Sequence, residues 1–366
     1  MDDYVAKINR KLGWHGVFVV TRNVGFTLQA DVRAVYARDR EKGIEILKIS
    51  EFNSNIHTIE MLRSSLKQTL DVIWMNPHGL PDAHIRAAYN YVNIGMSAYS
   101  ADLPREVMPK ARTEALIALD HPSTRAKAHG ILGLLSVIYD YNWQKAGEHF
   151  SIALDSNPDA RTLLYYAHFS ITSGRFQDGV SAAKEAARLA PEDPIIYASW
   201  GWINFLTGNT EEGIRLGLQT LTLHTGFAPA HNMLGWAYEA DGQYDLALSN
   251  YEHSLKADYT PAALWSLGHL YGKMGHHGKV LAILKELNTL NERGAIKHIP
   301  AYGRALIHVG LQELDQCLVE LERAYDERCD WLMHLALERR WDPVRQAPEF
   351  MNLVTKVGMP YQGRLA

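Results

Sequence analysis

Apolar and polar positions follow a helical period through most of the chain. The clearest stretch is His231-Asn232-Met233-Leu234-Gly235-Trp236-Ala237-Tyr238, where Leu234 and Tyr238 share one helix face at i, i+4. After Asp241-Gly242-Gln243 the run Ala247-Leu248-Ser249-Asn250-Tyr251 repeats that spacing, with Ala247 and Tyr251 on one face. The pattern predicts two antiparallel helices. Gly235 has no side chain and admits a neighbouring helix, and Gly242 suits a left-handed residue at a helix end. Pro158 and Pro191 lie where a helix cannot continue, between successive units.

The unit recurs. Gly201 and Gly235 are 34 residues apart, as are Gly174, Gly208 and Gly242 in succession, and Gly275 follows 33 later. The first series extends back to Ala167 and Gly133 and forward to Gly268. Twelve residues after its members stand Gly179, Gly213, Ala247 and Val280, with Ala146 at thirteen after Gly133. A fixed period in this range predicts stacked helix pairs, each burying its apolar face on the next.

Leu234-Gly235, Tyr238, Ala247 and Tyr251 resemble the tetratricopeptide (TPR) pattern. Leu132-Gly133, Trp200-Gly201 and Leu267-Gly268 are further copies and, with the unit at Ala167, give five clear units over roughly 126–290. Weaker copies flank them, one with helices over Asp82–Tyr99 and Ala111–Pro122, and one over 299–328. The resemblance implies a mainly α, right-handed TPR solenoid of about 6–7 helix pairs spanning 81–366, with a cap from about residue 329. Trp331, Trp341 and Phe350 are the expected lid over the last repeat's outer face. Gly217 stands where a large residue is expected, so looser inter-repeat packing is expected there.

Residues 1–80 lack the repeat and read as a small α/β module. Helices are expected over Asp2–Leu12, Asp31–Lys42 and Asn53–Trp74, and strands over Gly16–Thr21 and Ile44–Ile49. Trp14, Phe18-Val19-Val20, Arg22-Asn23, Phe26 and Asp31-Val32-Arg33 resemble the module that precedes TPR tails in bacterial class III adenylate cyclases and winged-helix transcriptional regulators. The stretches Tyr139–Trp143 and Leu321–Leu332 resemble those tails too. The opening strand of such a module is missing, so it reads as trimmed. No cyclase domain or winged helix accompanies it, and the activity of those proteins does not carry over.

Composition narrows the function classes. Apolar residues are 47% and charged residues 21%, which excludes a disordered chain. The net charge of −4 offers no basic face, so no nucleic-acid partner is expected. The longest apolar stretch, Ile131–Tyr139, is too short for a membrane span. Cys317 and Cys329 lack metal-binding spacing and make no disulfide framework, and the acidic N-terminus shows no signal peptide. A cytoplasmic setting is expected.

No catalytic constellation stands out, so no cofactor, no metal and no enzyme activity are expected. His276-His277 reads as an exposed turn. His57, His78 and His84 mark the junction where a less favoured enzyme-accessory reading would place a site. In a TPR array the first helix of each pair lines the concave face. That rule assigns His168, Trp202, Phe205, Asn232, Trp236, Glu239, Trp265 and His269 to an aromatic groove. Aromatic side chains dominate binding hot spots. The expected role is a scaffold or adaptor that holds a largely apolar segment of a partner protein in this groove. The alternative is a regulatory module that binds a small ligand or forms a homo-oligomer.

Overall fold

The computed structural model describes residues 18–21, 25–28, 58–75 and 80–361. Phe18–Thr21 (β1) pairs antiparallel with Gly25–Leu28 (β2), Phe18 opposite Leu28 and Thr21 opposite Gly25. β1 overlaps the strand expected over 16–21. The helices expected over Asp2–Leu12 and Asp31–Lys42, and the strand over Ile44–Ile49, lie outside the described residues. The helix expected from Asn53 is Ile59–Met75 (α1). It packs on the first repeat, where Asn90 donates to the Ser65 hydroxyl at 3.0 Å and Arg63 to the Ala101 carbonyl at 3.0 Å.

Seven helix pairs follow among the described residues. They are Pro81–Gly95 (α2) with Pro104–Ala118 (α3), Arg125–Ile138 (α4) with Trp143–Asp155 (α5), and Ala160–Thr172 (α6) with Phe176–Leu189 (α7). Next come Pro194–Leu206 (α8) with Thr210–Leu223 (α9), and Ala228–Ala240 (α10) with Tyr244–Ala257 (α11). Pro261–Lys273 (α12) with His277–Glu292 (α13), and Ala301–Gly310 (α14) with Leu314–Asp326 (α15), complete the series. Two 3₁₀ turns, Asp330–His334 and Arg339–Val344, lead to Pro348–Val357 (α16). The fold is mainly α, a TPR-like helical solenoid.

Local chemistry sets the helix ends. Asn142, Asp159 and Asp193 cap α5, α6 and α8, accepting from the backbone N–H of Lys145, Thr162 and Ile195 at 3.0, 2.8 and 2.9 Å. Prolines open α2, α3, α8 and α12. Gly242, at φ +75°, takes the left-handed conformation that ends α10. A Cβ on Gly235 would overlap the Tyr251 ring, so the small–large code is steric: α11 lies against α10 because position 235 is bare.

Gly217 corrects an expectation. Packing there is tight. A Cβ at this position would lie 2.5 Å from Met233 Cε and 2.9 Å from Leu234 Cδ2. Side chains of α10 reach back across α9 and fill the space that a large residue at 217 would have occupied.

The superhelix closes on itself. The turn after α2 meets the far end of the array: Asp330 accepts from the Ser97 backbone N–H at 2.9 Å, and Ser100 O accepts from the Lys297 N–H at 2.8 Å. The Tyr141 hydroxyl donates to the Cys329 carbonyl at 3.0 Å, and the Trp143 indole to the Val357 carbonyl at 2.8 Å. Ser100 sits at φ +52°, a strained turn residue held by its own hydroxyl bond to Ser97 O. One hydrophobic core runs from Ile85 to Met359 as a result.

Candidate functional site

The C-terminal segment lies inside the solenoid. Trp341 and Phe350 are fully buried, as lid residues should be. Trp331 behaves differently. Its ring centroid stands 6.1 Å from Trp202, 5.0 Å from Trp236, 6.5 Å from Trp265 and 5.9 Å from Tyr302. It therefore caps the array from the concave side. The Arg340 guanidinium lies 3.3 Å over the Trp236 ring and pairs with Glu338, which also accepts from the Tyr302 hydroxyl. Cation–π contact and ion pairing together hold this cation inside the ring of helices.

The inserted segment divides the expected groove. His168, Trp202, Asn232 and Trp236 line a central cavity of about 320 Å³. Phe205, Glu239, Trp265 and His269 do not line it, and each is buried. Trp265 is 0% exposed because Gly303 of α14 lets its indole press against the helix backbone, with Trp331 on the ring. Glu239 and His269 face each other between α10 and α12, with Nδ1 and carboxylate 2.7 Å apart. Tyr251 donates to the same carboxylate at 2.8 Å. Burial raises the Glu239 carboxyl, but His269, Arg340 and the Tyr251 hydroxyl outweigh it and hold the group down at about 2.

Several cavity residues carry no repeat signal. Trp331, Met333 and His334 come from the C-terminal segment, Tyr99 from the turn after α2, and Asp258 from the link between α11 and α12. Burial pushes the Asp258 carboxyl up to about 6. Burial lowers His168 to about 4, and burial with the neighbouring His168 takes His334 well below its ordinary value. The two imidazoles touch, His168 Nδ1 lying 3.3 Å from His334 Nε2. His334 Nδ1 and Asn232 Oδ1 are buried without a hydrogen-bond partner. Arg161 also lines the cavity, its charge matched by Asp193 at 3.0 Å.

Other candidate groups are placed plainly. His276 and His277 are exposed. His84 forms a part-buried pair with Glu114 at 2.6 Å, while His57 and His78 lie outside the described residues. Cys317 is buried and its thiol pushed up to about 12 by burial. Among the described residues no group of three or more His, Cys, Asp or Glu is placed to hold a metal ion. No described helix is long and apolar enough to cross a membrane.

The stacked helix pairs have a tetratricopeptide-type fold. Residues 228–260, which are α10 and α11 with their links, match the family model described as tetratricopeptide repeat. No curated protein matches the sequence. Among solved structures, the Cut9–Hcn1 hetero-tetramer of the APC/C is similar at TM-score 0.53 and 14% identity, covering 89% of this chain and 61% of that one. The human IFIT1 dimer with PPP-AAAA is similar at TM-score 0.52 and 12% identity, covering 89% and 90%. PilF of Pseudomonas aeruginosa matches at TM-score 0.42 and 18% identity, over 57% of this chain and 91% of that one. At these identities the likeness is one of fold.

Proposed function

We propose that the protein is a non-catalytic interaction module whose recognised element enters the central cavity and does not lie along an open groove. The observation that carries this is the seat of Trp331 among Trp202, Trp236, Trp265 and Tyr302, which fills one side of the concave face and leaves about 320 Å³ on the other. That volume is near the lower end of small-ligand sites, about 300–1,000 Å³. A helix with its side chains is about 10–12 Å across and does not fit. Apolar walls with a few unpartnered polar atoms favour a regulatory role triggered by a small ligand. A neutral fluorescent reporter such as N-phenyl-1-naphthylamine tests the cavity. The wild type should bind it, and Ser199→Trp, which fills the cavity from α8, should weaken binding about fivefold or more. Equal binding by both proteins would sink the assignment.

The second reading is a scaffold for a largely apolar partner segment. It is favoured by the contacts that Trp331 and Arg340 of the C-terminal segment make with Trp236, a residue of the expected groove. A pull-down with Trp202→Ala plus Trp236→Ala tests it, and unchanged recovery of every partner counts against it. Such a scaffold suits the tail of a cyclase or transcriptional regulator, as the likeness at Tyr139–Trp143 and Leu321–Leu332 suggests.

A further inference from the structure

We propose that the central cavity is a site for a small organic amine, with its ammonium group against Asp258 and its apolar body against Trp202 and Trp331. This rests on reading the cavity as the binding site. Three observations select the charge of the ligand. First, Asp258, the residue that ends α11, lines the cavity and makes no ion pair or side-chain hydrogen bond among the described residues. A half-buried carboxylate without a partner is costly, and a bound cation removes that cost.

Second, the wall is short of positive charge. Asp330 is the other carboxylate, already accepting from Ser97. Arg161 is matched by Asp193 from outside the cavity. His168 and His334 are held neutral by burial. A carboxylate or phosphate ligand would meet Asp258, which nothing in the wall compensates, whereas an ammonium complements it.

Third, a buried acceptor is left over. Asn232 Oδ1 has no donor, and His334 Nδ1, on a side chain 7% exposed, has no partner either. An ammonium brings three N–H donors and can serve more than one acceptor. The aromatic wall cannot be the main cation site, because Arg340 already occupies the Trp236 face at 3.3 Å. That leaves Trp202 and Trp331, both partly exposed to the cavity, to receive the apolar part.

The test is calorimetric titration of the full chain at neutral pH with probes that differ in charge. These are 2-phenylethylamine, neutral 2-phenylethanol, anionic 3-phenylpropionate, and N-acetyl-lysine methylamide as a peptide-borne amine. The amine should bind about tenfold tighter than the alcohol and the anion should be weakest, as for a charge-assisted hydrogen bond in a half-buried site. Asp258→Asn, checked for folding by its thermal transition, should bring the amine to within about twofold of the alcohol. The wild-type charge series stands on its own if that variant does not fold. Equal binding of amine and alcohol overturns the amine inference and leaves the cavity reading intact. Tighter binding of the lysine derivative than of the free amine overturns the inference in favour of a peptide. Binding of none of the four overturns the cavity reading and the inference with it.

Discussion

Trp331 lies across Trp236 with ring centroids 5.0 Å apart and planes inclined by 50°. This contact joins a residue outside the repeats to the inner face of the best-formed one. Trp331 keeps partial exposure to the cavity, whereas Trp265 beside it has none. Trp265→Ala is therefore expected to cost about 3–5 kcal/mol, as for a fully buried aromatic residue. Trp331→Ala should cost less, about 2 kcal/mol, because part of its surface is already wet. Denaturant unfolding of the two variants checks the order, and a larger loss at 331 would contradict the described burial.

The small–large code makes a steric prediction at α10. Gly235→Ala places a methyl against the Tyr251 ring and should cost about 1–3 kcal/mol through overpacking. Gly242→Ala meets nothing within 4 Å and carries only the penalty of φ +75°, about 1–2 kcal/mol. The double variant Gly235→Ala with Tyr251→Leu should recover part of the first loss. Thermal melts that rank Gly242→Ala as the more harmful would count against the code.

Acid should weaken the fold in two ranges. His168 has its pKa lowered to about 4 by burial, below the value near 6.5 of the unfolded chain. The unfolded state therefore takes up a proton first, and stability present above about pH 6.5 falls as pH drops towards 4. The loss is roughly 2 kcal/mol, discounted because the ring faces a cavity. His168→Gln should shrink this loss without abolishing it, because burial also lowers His149 and His298 to about 4. Glu239, held at about 2, keeps its contribution above the unfolded carboxyl value and loses it between about pH 4.5 and 2. Denaturant midpoints across about pH 2–7 would reveal both ranges, and a profile unaltered by His168→Gln would refute the upper assignment.

The two thiols report on closure. Cys329 lies at the seam, where the Ser97 hydroxyl donates to its sulfur at 3.3 Å, and Cys317 lies within α15. Both are buried and burial raises both thiols, so neither should react in the native protein. In rising denaturant Cys329 should be alkylated before Cys317, because the seam can open while the repeats stay stacked. Simultaneous modification, read by mass spectrometry, would mean that the seam and the repeats unfold together.

Much of this architecture was readable in the glycine spacing. Gly133, Gly201, Gly235 and Gly268 each mark a close helix approach, and sterics alone place them. The equivalent positions of successive first helices were readable too, and four residues at them, His168, Trp202, Asn232 and Trp236, line one cavity. The covering of Phe205, Glu239, Trp265 and His269 was not. It depends on the rotation accumulated between successive pairs, which decides where residue 331 arrives after seven of them. That rotation is a property of side-chain volumes at every interface and leaves no local pattern. Asp258, in a link between helices, follows no period at all. Trp331 was recognised as a lid residue, but the side it covers was set by tertiary geometry.

The bonds from Ser97 to Asp330 and from Lys297 to Ser100 carry a consequence for how such a chain can evolve. An open stack tolerates the gain or loss of a unit, because each unit answers only to its neighbours. Here an inserted unit would advance every later residue by one step of the spiral and carry Asp330 past Ser97. Duplication and deletion, the usual currency of repeat genes, are thereby closed to it, and its number of units is as fixed as the strand number of a closed barrel.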